Sequence, residues 1–156
     1  KQLKKNRPNT KIITDCIWKK TGEMIDFLSS ESGVLSTINS FRFSDRESMA
    51  GNSESRNKKF NKIKVNTISL NDLIKNEFNN ISPSYISIDT EGSEYEILKN
   101  FNFSKYNPIF LTIEHNFTSN QKYLDELMIK NDYVRIFRKI TSFDGWYVKK
   151  EVLNKH

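Results

Sequence analysis

The chain has 156 residues and a formal net charge of +6, and 36% of its residues are hydrophobic. This length suits one domain with a buried core and is too short for two ordinary domains. The positive charge is spread along the chain without a finger, stacking or recognition-helix motif, and no apolar run reaches the roughly 18 residues of a membrane span, so neither nucleic acid nor membrane is expected as a partner.

The cysteine content and the N-terminal sequence bear on the compartment. Cys16 is the single cysteine, which excludes an internal disulfide and favours a reducing environment. No signal-peptide pattern is present, and we expect a cytoplasmic protein in which residues 1–156 form one domain. The sequence leaves homo-oligomerisation open.

The first part of the chain predicts a helix end, two strands and a long loop. Residues 1–9 predict the polar end of a helix that Pro8 stops. The run "KIITDCIWKKTGEMIDFL", residues 11–28, predicts a strand, a turn at 19–22 and a second strand. Residues 42–62 contain few apolar side chains, and we expect a mobile loop there.

The next part alternates between strand and helix patterns. A short strand is predicted at 65–68, and Ser69 with Asp72 predicts the capping box of the helix that follows. "YISID", residues 85–89, predicts another strand, and residues 93–100 predict another helix.

Three more elements complete the predicted fold. "PIFLTIE", residues 108–114, is a continuous apolar run typical of a strand covered on both faces. An amphipathic helix ends near Asn131, and two terminal strands are joined by a turn around Asp144. Strands that alternate with helices predict an α/β fold, with a mostly parallel sheet and helices on its faces.

Acidic residues end two of the predicted strands. Asp89 closes the strand at 85–89, Glu114 closes the strand at 108–114, and one helix separates them in the sequence. Ligands of such folds bind at the carboxyl ends of the strands, near the point where strand order reverses. We therefore expect Asp89 and Glu114 on the functional rim of the sheet.

Two residues next to Asp89 belong to the same predicted rim. Glu91 adds a second carboxylate, and Gly92 lets the backbone turn sharply or approach a ligand closely. Carboxylates in this place need a polar cleft, a cation or a ligand donor. A helix cap is the alternative interpretation of Asp89.

The acidic residues that follow have a structural interpretation. Ser93 and Glu96 have the spacing of a capping box, which satisfies free backbone N–H groups at a helix start. Glu94 suits either the positive end of the helix dipole or the functional rim.

The histidine after the second acidic strand end is a further candidate. His115 follows Glu114 directly and could act as a general base, or join Asp89 and Glu114 as ligands of a divalent metal ion. The alternative is a packed or surface histidine without a catalytic role.

Asp15 and Cys16 end another predicted strand. Asp15 could accept a hydrogen bond from an adenine amino group, with Cys16 as a small wall beside it. The alternative is a turn of a β-hairpin.

Four runs together resemble, in order and spacing, the FkbM-type methyltransferases: "TISLNDLI", "YISIDTEGSEYEILKNF", "PIFLTIEHN" and "FDGWYV". The signature of that family is an Ile-Asp-x-Glu-Gly-x-Glu stretch followed by a helix that ends in Leu-Lys. The matching residues are Ile88, Asp89, Glu91, Gly92, Glu94, Leu98 and Lys99.

The resemblance implies a Rossmann-like methyltransferase sheet and methyl transfer from S-adenosyl-L-methionine to a hydroxyl of a sugar, a glycan or a natural product. It implies that Asp15 and Cys16 lie beside the adenine, and that Asp89, Glu91 and Gly92 lie where the cofactor meets the acceptor. By the same resemblance, Glu114 and His115 lie on the acceptor side, so that Asp89, His115 and Glu114 are the catalytic candidates.

The sequence departs from the family at its N-terminal side. The glycines are residues 22, 33, 51, 92 and 145, and none forms the Gly-x-Gly turn that holds the methionine part of the cofactor. In the sheet order that the resemblance implies, 3-2-1-4-5-7-6, the strand of Asp15 would be the third and strands 1 and 2 would be missing. We therefore expect the chain to be the C-terminal part of a longer protein, which alone binds the cofactor poorly.

Two other functions are weighed against the methyltransferase. A cofactor-free domain that binds a carbohydrate or a protein agrees with the missing glycine-rich turn, although it leaves the acidic rim without a purpose. A metal-dependent hydrolase lacks a second cluster of residues with ligand spacing.

Overall fold

The structure is a computed structural model that describes residues 2–30, 35–43, 60–116 and 118–153. Within these residues the chain is a mixed α/β protein, as predicted. The strands are β1 (Cys16–Trp18), β2 (Met24–Ser29), β3 (Thr37–Ile38), β4 (Asn61–Ser69), β5 (Tyr85–Ile88), β6 (Phe110–Glu114), β7 (Tyr133–Ile136) and β8 (Asp144–Lys149). The helices are α1 (Gln2–Asn6), α2 (Leu70–Glu77), α3 (Glu94–Leu98), α4 (Asn120–Lys130) and α5 (Lys150–Leu153), and a 3-10 turn spans Asn39–Phe41.

The strands form two four-stranded sheets, in the orders β1-β4-β2-β3 and β5-β6-β8-β7. Only β1 with β4 and β5 with β6 pair in parallel among the described strands, and the other pairs are antiparallel. The prediction of one mostly parallel sheet is therefore wrong. The reason is that β4 runs antiparallel to β2, and β8 runs antiparallel to both β6 and β7.

Strand β4 of the first sheet begins earlier than the sequence predicts, at residue 61 instead of 65. β4 begins at Asn61, so the predicted loop at 42–62 is wrong at its C-terminal end, and residues 44–59 lie outside the described residues. The start of β4 is polar, and its lysines form ion pairs with the neighbouring strand. Lys62 and Lys64 each contact the Asp26 carboxylate of β2 at 2.6 Å, which stabilises the strand without apolar burial.

The second sheet buries one face against helices. Leu111 and Ile113 of β6 are fully buried in one hydrophobic cluster with Ile97 and Leu98 around α3 and with Leu124 of α4. The alternate β6 residues face the other side and remain partly exposed. This alternation is that of a strand covered on one face, so the prediction of burial on both faces is wrong for the described structure.

A cavity separates the second sheet from β1. It has a volume of about 390 Å3 and is lined by Ile17 of β1, by Leu70, Leu73 and Ile74 of α2, and by all four residues of β5. Among the described strands, β1 pairs with β4 alone and β5 pairs with β6 alone. The facing edges of these two strands are therefore open.

In the described parts of the chain, each helix is too short or too polar to cross a bilayer.

Candidate functional site

The ends of β5 and β6 bring three carboxylates together. β5 ends at Ile88 and β6 ends at Glu114, and the two strands run parallel, so the residues that follow meet at one edge of the sheet. One carboxylate oxygen from each of Asp89, Glu91 and Glu114 lies within 4.8 Å of the others. The expected proximity of Asp89 and Glu114 is thus observed, with Glu91 as a third member.

The backbone after β5 is shaped to make this meeting. Glu91 has a φ of 57° and Gly92 a φ of 112°, both in the left-handed region that a side chain normally disfavours. These two turns send the chain from the strand into α3 within five residues. Glu91 is consequently turned back toward Glu114 instead of following the direction of the strand.

Glu114 lies in an environment that disfavours its charged form. Burial, followed by the negative charges of Asp89 and Glu91, raises the pKa of Glu114 to about 8. Its buried Oε2 atom has no hydrogen-bond partner within the described residues. A protonated Glu114 carboxyl can donate a hydrogen bond to Asp89, and being neutral it no longer repels Asp89 and Glu91.

Asp144 is a fourth acidic residue at this edge of the sheet. The sequence predicts a turn around it. Asp144 begins β8 and pairs across the strands with Glu114. Burial and the charge of Asp89 raise the pKa of Asp144. Asp144 lies in the "FDGWYV" run that resembles the family. Its place beside Glu114 could not be predicted without knowing that β8 pairs antiparallel with β6.

His115 is buried and hydrogen-bonded to Arg135. Its side chain is 3% exposed, and its Nε2 atom lies 2.7 Å from Nη2 of Arg135. Because a guanidinium can only donate, Nε2 accepts this bond and the ring proton is on Nδ1. The space that His115 borders with Glu91 and Glu114 has a volume of about 10 Å3, which is too small for an acceptor substrate.

Arg135 links His115 to the partly buried carboxylate of Asp125. Nη1 of Arg135 lies 3.4 Å from Oδ2 of Asp125, and the hydroxyl of Tyr147 donates to Oδ1 of Asp125 at 2.8 Å. These contacts join α4 to β7 and β8 beneath the sheet. The geometry thus gives His115 a place in a buried hydrogen-bond network, and the group of possible metal ligands consists of Asp89, Glu91 and Glu114 without it.

The start of α3 differs from the predicted capping box of Ser93 and Glu96. The Ser93 side chain makes no capping bond to α3, and Glu96 pairs on the surface with Nζ of Lys99 at 2.6 Å, so the predicted capping box is wrong. Glu94 takes over at the helix start, where it is 2% exposed. Burial raises the pKa of Glu94, an effect that hydrogen bonds from the backbone of residues 90, 92 and 94 partly offset.

The cofactor candidates are divided between two places. Asp15 precedes β1 and Cys16 begins it, so the prediction that they end a strand is wrong. Both nevertheless line a cavity of about 370 Å3 that Asp89 also lines. Burial raises the pKa of Cys16 to about 11, which keeps the thiol protonated. Glu91 and Gly92 border the small space near Glu114 instead.

The His115–Arg135 contact predicts a dependence of folding stability on pH. Burial, and then the charge of Arg135, lower the pKa of His115 to about 4, so this side chain binds more protons in the unfolded state than in the folded state between about pH 6.5 and pH 4. The stability from this group is complete above pH 6.5 and is lost as the pH falls through this window, by about 3 kcal/mol.

Replacing the titrating ring tests this dependence. We expect His115→Gln, which still offers an oxygen to Arg135, to lose less free energy of unfolding than the wild type between pH 6.5 and 4. Urea denaturation across this range measures the difference. Equal losses in the two proteins would contradict the assignment.

The comparisons with known proteins agree with the resemblance predicted from the sequence. A family model described as "Methyltransferase FkbM domain" matches residues 2–143. A search of curated proteins and a search of solved structures each gave no match. The family match spans most of the chain and includes the three clustered carboxylates. The chain therefore belongs to the FkbM methyltransferase family.

Proposed function

We propose that the chain is the C-terminal part of an O-methyltransferase that uses S-adenosyl-L-methionine and acts on a hydroxyl of a sugar, a glycan or a natural product. One observation carries the proposal. Asp89 lines the cavity of about 370 Å3 and also belongs to the group of three carboxylates. A single residue thus borders a space suited to a cofactor and a group suited to activating a hydroxyl.

Activation of the acceptor falls to Glu114 and Asp89. An alcohol is a weak nucleophile until a general base removes its proton. With a pKa of about 8, raised by burial and by neighbouring carboxylates, Glu114 is a stronger base than an ordinary carboxylate and titrates near physiological pH. We assign the base role to Glu114 acting through Asp89. The acceptor hydroxyl meets Asp89, which borders the cavity of about 370 Å3, and its proton passes through Asp89 to the more basic Glu114.

The lining of the cavity of about 370 Å3 supports the proposed cofactor. Its walls combine the carboxylates of Asp15 and Asp89 with apolar side chains that include Ile17, Phe27 and Ile38. Carboxylates suit the adenine amino group and the positive sulfonium, and apolar walls suit the adenine ring. When bound, the cofactor supplies a methyl group on a sulfonium-activated carbon, and the protein contributes mainly by positioning the acceptor in line with it.

A divalent cation is the alternative way to activate the hydroxyl. Asp89, Glu91 and Glu114 offer the oxygen ligands that such a cation takes, and the buried Oε2 of Glu114 fits this role. A cation held there would lower the pKa of a coordinated hydroxyl. His115 does not fit the set, because its Nε2 atom accepts from Arg135.

The open edges of β1 and β5 support the proposal that this is part of a longer enzyme. Open strand edges present unpaired N–H and C=O groups that another strand can use. The order β5-β6-β8-β7, in which β8 alone is antiparallel, agrees with strands 4-5-7-6 of the Rossmann-like arrangement. Two further strands between β1 and β5 would complete that arrangement and bring the glycine-rich turn.

A second candidate function rests on the other face of the second sheet. Tyr85 and Phe110 stack with ring centroids 5.5 Å apart, and Trp146 packs edge-on against Phe110 at 5.9 Å. Tyr85 is 52% exposed. Exposed aromatic faces suit sugar rings, so this surface favours a carbohydrate-binding domain without a cofactor as the alternative.

Titration of S-adenosylhomocysteine separates these functions. We expect weak binding by this chain and at least about tenfold tighter binding by a chain extended with its upstream coding sequence, measured by calorimetry. In the extended chain, Asp89→Asn should weaken binding and Glu96→Gln, on the surface of α3, should not. Equal affinity of the two chains would contradict the proposal that this chain is a fragment. The absence of binding by either chain would contradict the proposal of a methyltransferase.

The pH dependence of turnover tests the base. A base works when it has lost its proton, so we expect kcat/KM of the extended chain to rise with pH around a midpoint near the raised pKa of Glu114, about 8. Glu114→Gln should lower kcat/KM by about 100-fold or more and remove this rise, whereas Glu96→Gln should keep both. A rise that persists in Glu114→Gln would exclude Glu114 as the base.

A further inference from the structure

The loop from Asp89 to Gly92 is held from both sides by residues that do not belong to the carboxylate group. The N–H groups of Thr90 and Gly92 donate to Glu94 at the start of α3, and the carbonyl group of Glu91 accepts from Thr37 of β3. We propose that Thr37 and Glu94 are positioning residues, which fix the left-handed turn at Glu91 and thereby keep Asp89 and Glu91 facing Glu114. Their assigned role rests on the proposed function, because the carboxylates they place are those of the proposed base.

Glu94 collects the donors of the loop on one oxygen. Its Oε1 atom accepts from the backbone N–H of Thr90 at 2.8 Å, from the Thr90 hydroxyl at 2.9 Å and from the backbone N–H of Gly92 at 3.1 Å. The Ser93 hydroxyl in turn donates to the Thr90 hydroxyl oxygen at 2.9 Å. A carboxylate that is 2% exposed is costly to bury, and these bonds are what make its burial tolerable.

Thr37 acts on the opposite side of the same loop. Its hydroxyl donates to the carbonyl oxygen of Glu91 at 2.9 Å, and the residue is fully buried. The bond joins the first sheet to the loop that follows β5 in the second sheet, across 54 residues of sequence. The flanking residues Ser36 and Ile38 line the cavity that Asp89 borders, so this bond ties a cavity wall to the acidic loop.

A third contact completes the hold on the loop. Nδ2 of Asn120, at the start of α4, lies 3.4 Å from the carbonyl oxygen of Gly92. Elements from three parts of the chain therefore converge on the two residues with a positive φ. Backbone in the left-handed region is unfavourable for Glu91 by itself and persists when the surroundings over-determine it.

Nuclear magnetic resonance of this chain tests the proposal without substrate or cofactor. The strong amide-to-Hα cross-peak within Glu91 reports its positive φ, and amide exchange at Thr90 and Gly92 reports the bonds to Glu94. Thr37→Val keeps the shape of the side chain and removes the hydroxyl, whereas Thr37→Ser restores a hydroxyl. Glu94→Ala removes the acceptor, Glu94→Gln keeps an oxygen, and Glu96→Gln is the matched control on the same helix.

We expect Thr37→Val and Glu94→Ala to weaken the Glu91 cross-peak and to speed exchange at Thr90 and Gly92 about tenfold, the loss expected for one or two hydrogen bonds. Exchange at Leu111 and Ile113 in the core should be unchanged. Thr37→Ser and Glu96→Gln should behave as the wild type, and Glu94→Gln should lie between wild type and Glu94→Ala.

Two results would overturn the positioning role. One is a wild-type Glu91 cross-peak in both Thr37→Val and Glu94→Ala. The other is equal acceleration of exchange in the loop and in the core, which would mean general destabilisation. A chain that passes this test and fails to bind S-adenosylhomocysteine in extended form would contradict the proposed function alone, so the two failures are distinguishable.

Discussion

The repulsion among carboxylates at the ends of β5 and β6 is the constraint on which the site depends. Asp89, Glu91 and Glu114 lie within 4.8 Å of one another, and Glu114 is partly buried. Like charges in a poorly solvated place are tolerated when one is neutralised by a proton or by a cation. Either solution suits chemistry on a hydroxyl. A carboxylate with a raised pKa is a stronger base for the hydroxyl proton, and a cation would lower the pKa of a hydroxyl that it coordinates.

The rest of the described structure holds this unfavourable group in place. Buried β6 fixes the position of Glu114, and the left-handed turn at Glu91 and Gly92 returns a second carboxylate toward it. Thr37 and Glu94 bond to that turn from opposite sides. Repulsion would otherwise move Glu91 into solvent, so the hydrogen bonds of the loop and the electrostatics of the site are two parts of one arrangement.

The sequence was sufficient to predict which acidic residues end the strands, and insufficient to predict the hydrogen-bond partners of the residues beside them. Asp89 and Glu114 were predicted as neighbours because a parallel pair of strands joined by one helix follows from local pattern. Glu94 was ambiguous because its partners depend on a left-handed turn that no periodicity predicts. His115 was predicted among the carboxylates, but its contact with Arg135 requires knowing that β7 and β8 pair beside β6. No local sequence pattern predicts the contact of Thr37 with Glu91, because the two residues lie 54 positions apart.

The titration of the Glu114 carboxyl tests the central claim most directly. Carbon-detected magnetic resonance of the labelled side chain, followed from pH 4 to 10, measures it in this chain without substrate. Burial and the charges of Asp89 and Glu91 predict a midpoint near the raised pKa of about 8. A midpoint near the ordinary glutamate value of about 4.3 would contradict the account, because it would mean that the carboxylates do not crowd one another.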